Sequence, residues 1–226
     1  MALRFEDMLE RLGSQGRAAL LDTYRLFTQG LIDQQTFIDV ASQLLEHIAN
    51  VGANYGRLSY IELMTFMVEE YPGASSQLGA GSAVDQGKVA QSLQTILEGD
   101  PEQILTRLER LGYVLPMEET QRGYGDELRA DPLVDGWQRG LNDDACQLCQ
   151  WWSWEGRIWP KVQPFQSHKG CKCQQIPKLA RESEVPSTVR QRALERREKA
   201  IANRDRRSNF VREAEQRVRE ELKNIV

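Results

Sequence analysis

Apolar residues recur every three or four positions over most of the first 131 residues, the spacing that places them on one face of a helix. One series follows a short first turn that ends before Gly13, and it consists of Leu20, Tyr24, Phe27 and Leu31. A second series begins after Asp33, a residue type that caps helix N-termini. We therefore predict a helical N-terminal domain at residues 1–71.

Small residues form a stripe on the second predicted helix, at Ala49, Gly52, Ala53 and Gly56. Such a stripe lets another helix approach closely, because no bulky side chain separates the two backbones. Glycines inside a helix also weaken it, so a loosened turn at the same place is the alternative.

Residues 72–87 are rich in Gly, Ser and Ala, and we interpret them as a linker. Helical spacing returns in a predicted helical connector at residues 88–131. Asp100 and Pro101 suit an N-cap followed by the first helical position, and Gly112 suits a C-cap.

Residues 132–178 differ in composition, because all five tryptophans and all four cysteines lie between Trp137 and Cys173. We predict short strands at residues 136–140 and 171–176, with turns between them. The predicted fold is thus mainly α, with a small β-containing, zinc-knuckle-like module and a long charged helix at residues 187–226.

The cysteines form a C-x2-C pair at Cys146 and Cys149 and a C-x-C pair at Cys171 and Cys173, with His168 three residues before the second pair. A knuckle turn and a strand would each present two thiolates to one ion, and Zn²⁺ is the usual occupant of a tetrahedral sulfur site. His168 would either replace one thiolate of the second pair as a ligand or hydrogen-bond a ligand without binding the ion itself. Disulfides or free thiols are the alternative, and a catalytic thiol is a third.

Charge divides the chain, although the formal net charge is only −4. Residues 1–144 carry 11 Lys and Arg against 23 Asp and Glu, whereas residues 187–226 carry 12 against 7. An acidic front and a basic end indicate two surfaces with different partners. No apolar run approaches the roughly 20 residues that span a bilayer, and the charged N-terminus is unlike a signal peptide.

The predicted C-terminal helix has an apolar seam at Val211, Val218 and Ile225, which suits docking on a partner helix. A solvated, self-paired helix is the alternative. DNA contact is the third interpretation, and the basic cluster Arg204, Arg206 and Arg207 is its best candidate for binding phosphates.

The stretch at residues 131–178 resembles the core of MuF-like phage minor head proteins. Those proteins show a GW-x-R strand, a C-x2-C knuckle, and an H-x2-C-x-C segment that ends before a proline. The matching residues are Gly136, Trp137, Arg139, Cys146, Cys149, His168, Cys171, Cys173 and Pro177. The preceding helices resemble the N-terminal part of actinobacteriophage members.

The resemblance implies a non-enzymatic head-morphogenesis protein of the virion, assembled in the host cytoplasm and placed at the capsid interior or portal vertex. Its expected partners are the portal protein, the major capsid protein and packaged DNA, and no membrane is expected. The alternative function is a zinc-binding adaptor for nucleic acid or protein without a virion role. A cysteine-dependent enzyme is a further alternative.

Overall fold

The computed structural model describes residues 5–68, 71, 84–153 and 156–180. The elements in this part of the chain are α1 (Phe5–Thr28), α2 (Gln34–Met67), α3 (Gln86–Leu97), α4 (Pro101–Ala130), β1 (Val134–Gly140), α5 (Gln147–Ser153), β2 (Ile158–Pro160) and β3 (Gln174–Leu179). The prediction of a mainly helical fold with a small β module is confirmed for these residues.

Several predictions fall on other parts of the chain. The linker residues 72–83, the C-terminal helix at 187–226 and the basic cluster Arg204, Arg206 and Arg207 lie outside the described residues. None of the described helices has an apolar stretch long enough to cross a membrane.

The helix starts follow the predicted capping residues. The Asp33 carboxylate accepts the backbone N–H of Thr36 at 2.7 Å and begins α2. Asp100 caps α4 in the same way, with Pro101 at the first helical position. Asp85 caps α3, which therefore includes the last two residues of the predicted linker, Gln86 and Gly87.

Two predicted interruptions of helices are wrong. α1 runs without a break through Gly13, and α4 continues eighteen residues past the predicted C-cap Gly112 to Ala130. These glycines instead lie where α1 and α4 pack closely against each other. A Cβ atom on Gly16 would lie 2.2 Å from the backbone oxygen of Gly112, so α1 and α4 cross with their backbones touching.

The small-residue stripe of α2 serves the same purpose against α4. A Cβ on Gly56 would lie 1.9 Å from the Thr120 backbone oxygen, and a Cβ on Gly123 would lie 2.1 Å from that of Ala53. The structure therefore favours close helix approach over a loosened turn. α4 lies against both α1 and α2 along most of its length.

One apolar core fills the space between α1, α2, α3 and the first half of α4. Its buried members are Leu20, Phe37, Ile38, Ala41, Leu45, Val89, Leu93 and Leu108. Each of these four helices contributes at least one buried residue to this core. The four helices therefore form one packed unit in the described residues.

The three strands form an antiparallel sheet in the order β2-β1-β3. Trp137 at the centre of β1 lies opposite Trp159 of β2 and Pro177 of β3. β1 begins two residues earlier than predicted. The predicted strand at 171–176 is shifted, because β3 begins at Gln174 after both cysteines, and β2 was not predicted.

A second core joins the sheet to the ends of α2 and α4. It contains Tyr60, Met64, Tyr124, Leu128, Val134 and Trp137. The Tyr60 and Tyr71 hydroxyls donate to the same Asp131 carboxylate oxygen, at 2.7 and 2.6 Å. Asp131 follows the last residue of α4, so this carboxylate fixes the point where the helical unit passes into the sheet.

Candidate metal centre

Two segments, residues 146–149 and 168–173, bring the predicted metal-binding side chains together beside β1. Cys146 and Cys149 flank the first turn of α5. His168 begins a turn that is closed by the Cys171 N–H donating to the His168 carbonyl at 3.0 Å. Gly170 has a φ of +77° in this turn, a conformation that glycine adopts without strain. Cys173 immediately precedes β3.

The donor atoms form two overlapping groups of three. In one group the donors of Cys146, Cys149 and His168 all lie within 4.8 Å of one another, and in the other those of Cys149, Cys171 and Cys173 do. Cys146 Sγ is 3.1 Å from His168 Nε2, and Cys149 Sγ is 3.5 Å from Cys171 Sγ. The structure thus brings all five predicted ligands into one cluster.

The C-x-C pair is not presented by a strand, contrary to the expectation from its spacing. The Gln121 side-chain amide on α4 instead donates to the Cys171 and Cys173 carbonyls, at 2.7 and 3.1 Å. A glutamine thus takes the place of a neighbouring strand in binding this backbone.

Lys172, between the two cysteines, fixes the same segment to the helices. Its ammonium pairs with Glu10 of α1, and the Tyr113 hydroxyl of α4 donates to Glu10 at 2.6 Å. The Lys172 hydrogen bond and the Tyr113 hydroxyl lower the pKa of the Glu10 carboxyl, so the pair is charged at neutral pH.

Arg139 of β1 is the most informative neighbour of the cluster. It is 4% exposed, its Nη1 lies 3.6 Å from Cys149 Sγ and 3.9 Å from Cys171 Sγ, and it also donates to the Gln166 carbonyl. In the described part of the chain, no carboxylate lies within ion-pair distance of Arg139. A buried cation needs an anion, and thiolates are the groups available to provide it.

Aromatic rings enclose the guanidinium. Its central carbon lies 4.2 Å from the Phe165 ring centre and 5.0 Å from that of Trp152. Trp137 is fully buried and packs edge-on against Phe165. Trp151 is 61% exposed, as expected for at least one tryptophan of the 151–154 run, and Trp154 lies outside the described residues.

The thiols differ in acidity because their surroundings differ. The backbone N–H of Cys149 lowers the pKa of the exposed Cys146 thiol, whereas burial raises the pKa of Cys149 to about 11. The hydrogen bond between Cys171 and Cys173 lowers the pKa of the first and raises that of the second. A bound divalent ion would lower the raised pKa of any of these thiols that it coordinates, since a coordinated thiol is deprotonated outright.

The donor set could bind a metal ion such as Zn²⁺, and the cysteines allow two other chemistries. All four cysteines are free, and the 3.5 Å between Cys149 Sγ and Cys171 Sγ is far beyond a disulfide bond of about 2.05 Å. The Cys146–His168 pair alone would suit a nucleophilic thiol. Four thiols and one imidazole are also the ligand types of structural Zn²⁺ sites.

Comparison with known protein families, curated proteins and solved structures finds no significant match to this chain.

Sequence reasoning did not find several residues that build the site. It named Arg139 only as part of a motif, although Trp137 and Arg139 are two residues apart on a strand and so share one face. Gln121 and Asn142 carry no recognisable pattern in the sequence. Their roles depend on which backbone and sulfur atoms the fold places opposite them.

Proposed function

We propose that the chain is a structural, non-enzymatic component of a phage head, in which a Zn²⁺ centre holds the sheet module together beside the helical unit. The metal would be held by four of the five donors that the cysteines and His168 offer. Its chemical role would be to crosslink two chain segments, residues 146–149 and 168–173, because a module of about 45 residues buries too little apolar surface to be stable alone.

One observation carries this proposal: the separated parts of the motif that resembles MuF-like head proteins meet in one site. Arg139 of the GW-x-R strand contacts sulfurs of both the C-x2-C and the H-x2-C-x-C segments. Trp137 lies opposite Pro177, the proline that ends the motif. Residues that are up to 40 positions apart thus form one physical unit, which supports treating the motif as a whole.

The proposed location is the capsid interior or portal vertex, with the acidic helices docking on the portal or major capsid protein. Mass spectrometry of purified mature and immature particles of the phage that encodes the chain tests this location. We expect peptides of the chain in at least one particle type, at fewer copies than the major capsid protein. Their absence from both would contradict a virion role.

The proposed DNA contact through Arg204, Arg206 and Arg207 has its own test. We expect the full chain to bind duplex DNA with an affinity that falls as salt rises, and the triple alanine variant to show a smaller salt slope. Equal slopes for the two proteins would remove DNA from the proposed partners and leave protein docking.

A further inference from the structure

Five donors surround a site that a tetrahedral ion fills with four, so one of them stays uncoordinated. We propose that Cys146, Cys149, His168 and Cys171 are the ligands and that Cys173 stays outside the coordination sphere, in contact with Asn142. This assignment rests on the proposed metal centre and specifies its chemistry as three sulfurs and one nitrogen.

The distances within the cluster form the first argument. Zn–S and Zn–N bonds of about 2.3 and 2.0–2.1 Å place tetrahedral ligands roughly 3.5–3.8 Å apart. The separations of 3.5 Å between Cys149 Sγ and Cys171 Sγ and 3.1 Å between Cys146 Sγ and His168 Nε2 are close to two opposite edges of such a tetrahedron. The four donors do not all lie within 4.8 Å of one another, so ion binding would draw the two pairs together.

The second argument concerns the imidazole of His168. Its Nδ1 lies 3.2 Å from the Lys169 carbonyl oxygen, an atom that can only accept a hydrogen bond. A proton on Nδ1 satisfies this contact and leaves the lone pair of Nε2 free on the side of Cys146. Metal-binding histidines are commonly oriented by a carbonyl in this way.

The third argument concerns Cys173, which has a different partner. Its Sγ lies 3.2 Å from the Asn142 side-chain oxygen, which belongs to none of the five donors. Cys173 is 1% exposed, whereas Cys146 is exposed and offers the ion a route from solvent. In the described residues, Cys149 and Cys171 contact the cation of Arg139, whereas the partner of Cys173 outside the cluster is a neutral amide.

Charge balance is the fourth argument. Three thiolates and a neutral imidazole around a divalent ion leave one negative charge, and the buried Arg139 supplies one positive charge. Four thiolates would leave two negative charges beside a single buried cation. The contacts of Arg139 also go to Cys149 and Cys171, two members of the proposed set.

Metal titration of the full-length chain and its variants tests the assignment, with Zn²⁺ and Co²⁺ as the probes. We expect Cys173→Ser to bind one Zn²⁺ as tightly as wild type, because the removed sulfur is not a ligand in this assignment and serine can keep the contact with Asn142. We expect Cys171→Ser and His168→Asn to weaken binding by more than about 100-fold. The thiolate-to-cobalt absorption of wild type should have the intensity of three thiolates and be unchanged in Cys173→Ser.

A measurement on the unmodified protein avoids any folding defect of the variants. In the Zn²⁺-loaded chain we expect the β-carbon NMR shifts of three cysteines to be those of metal-bound thiolates and that of Cys173 to be that of a free thiol. Four metal-bound shifts, or Cys173→Ser losing the ion while His168→Asn keeps it, would overturn the assignment and leave the metal centre standing. A wild-type chain that binds no Zn²⁺ would instead refute the proposed function.

Discussion

Replacing Arg139 by methionine tests whether the cysteine cluster is held as thiolates. Methionine has a similar length and keeps much of the contact with Trp152 and Phe165, but it removes the charge and the N–H groups. If Arg139 neutralises a thiolate–metal centre, its loss leaves a buried negative charge without a partner. We therefore expect metal affinity to fall while the helical unit stays folded.

The geometry sets the size of the effect. Of the two Arg139–sulfur separations, 3.6 Å is an ordinary hydrogen-bond length to sulfur and 3.9 Å is a weak one. One hydrogen bond to a charged group contributes about 1.5–3 kcal/mol. At 1.36 kcal/mol for each factor of ten, Zn²⁺ affinity should fall roughly 10- to 160-fold.

Competition with a chelator of known affinity measures this change directly. Arg157→Met is the matched control, because Arg157 is exposed and its guanidinium stacks on the Trp159 ring, 4.0 Å from the ring centre. We expect the control to bind Zn²⁺ like wild type. Equal affinities for Arg139→Met and Arg157→Met would refute the argument that Arg139 compensates thiolate charge.

Three further perturbations have outcomes that the contacts determine. Gly56→Ala should lower the free energy of unfolding by about 1–3 kcal/mol in urea titrations, because its Cβ would meet the Thr120 backbone oxygen. Gly87→Ala should lower it by less, because its Cβ would lie 3.2 Å from a side-chain oxygen of Asp85 at the start of α3. Burial raises the pKa of the Tyr60 hydroxyl above its usual value of about 10, so the contribution of the neutral hydroxyl to stability is complete below pH 10 and is lost as pH rises further. Tyr60→Phe should therefore reduce the decline of the free energy of unfolding above pH 10, and an unchanged decline would contradict this reasoning. Zn²⁺ should dissociate as pH falls, because protons compete for the thiolates and the His168 imidazole; metal retained in acid would contradict this set of ligands.

The helical part of the fold could be predicted in outline because apolar spacing and capping residues are local features. Asp33 and Asp100 begin helices as their residue types predict. The helix ends were harder, since Gly112 has the local character of a C-cap. Only the opposing helix explains why this glycine lies inside α4, since Gly16 touches it there.

The sequence allowed the candidate ligands to be predicted, but not the residues that contact them. Residue type and spacing alone identified the four cysteines and His168, because few side chains bind metals. The roles of Arg139, Gln121 and Asn142 depend on contacts between residues far apart in the sequence. The predicted strand at 171–176 also left no reason to expect that Gln121 would bind the Cys171 and Cys173 carbonyls. β2 is only three residues long and pairs with β1 through tertiary contacts, so no local pattern could show it.

Elemental analysis of the full-length chain, purified under reducing conditions, is the most direct test of the metal centre. We expect one zinc ion per chain, released with loss of stability when a strong chelator is added. A chain without metal that takes up no added Zn²⁺, with four titratable free thiols and unchanged stability in chelator, would contradict the proposed centre.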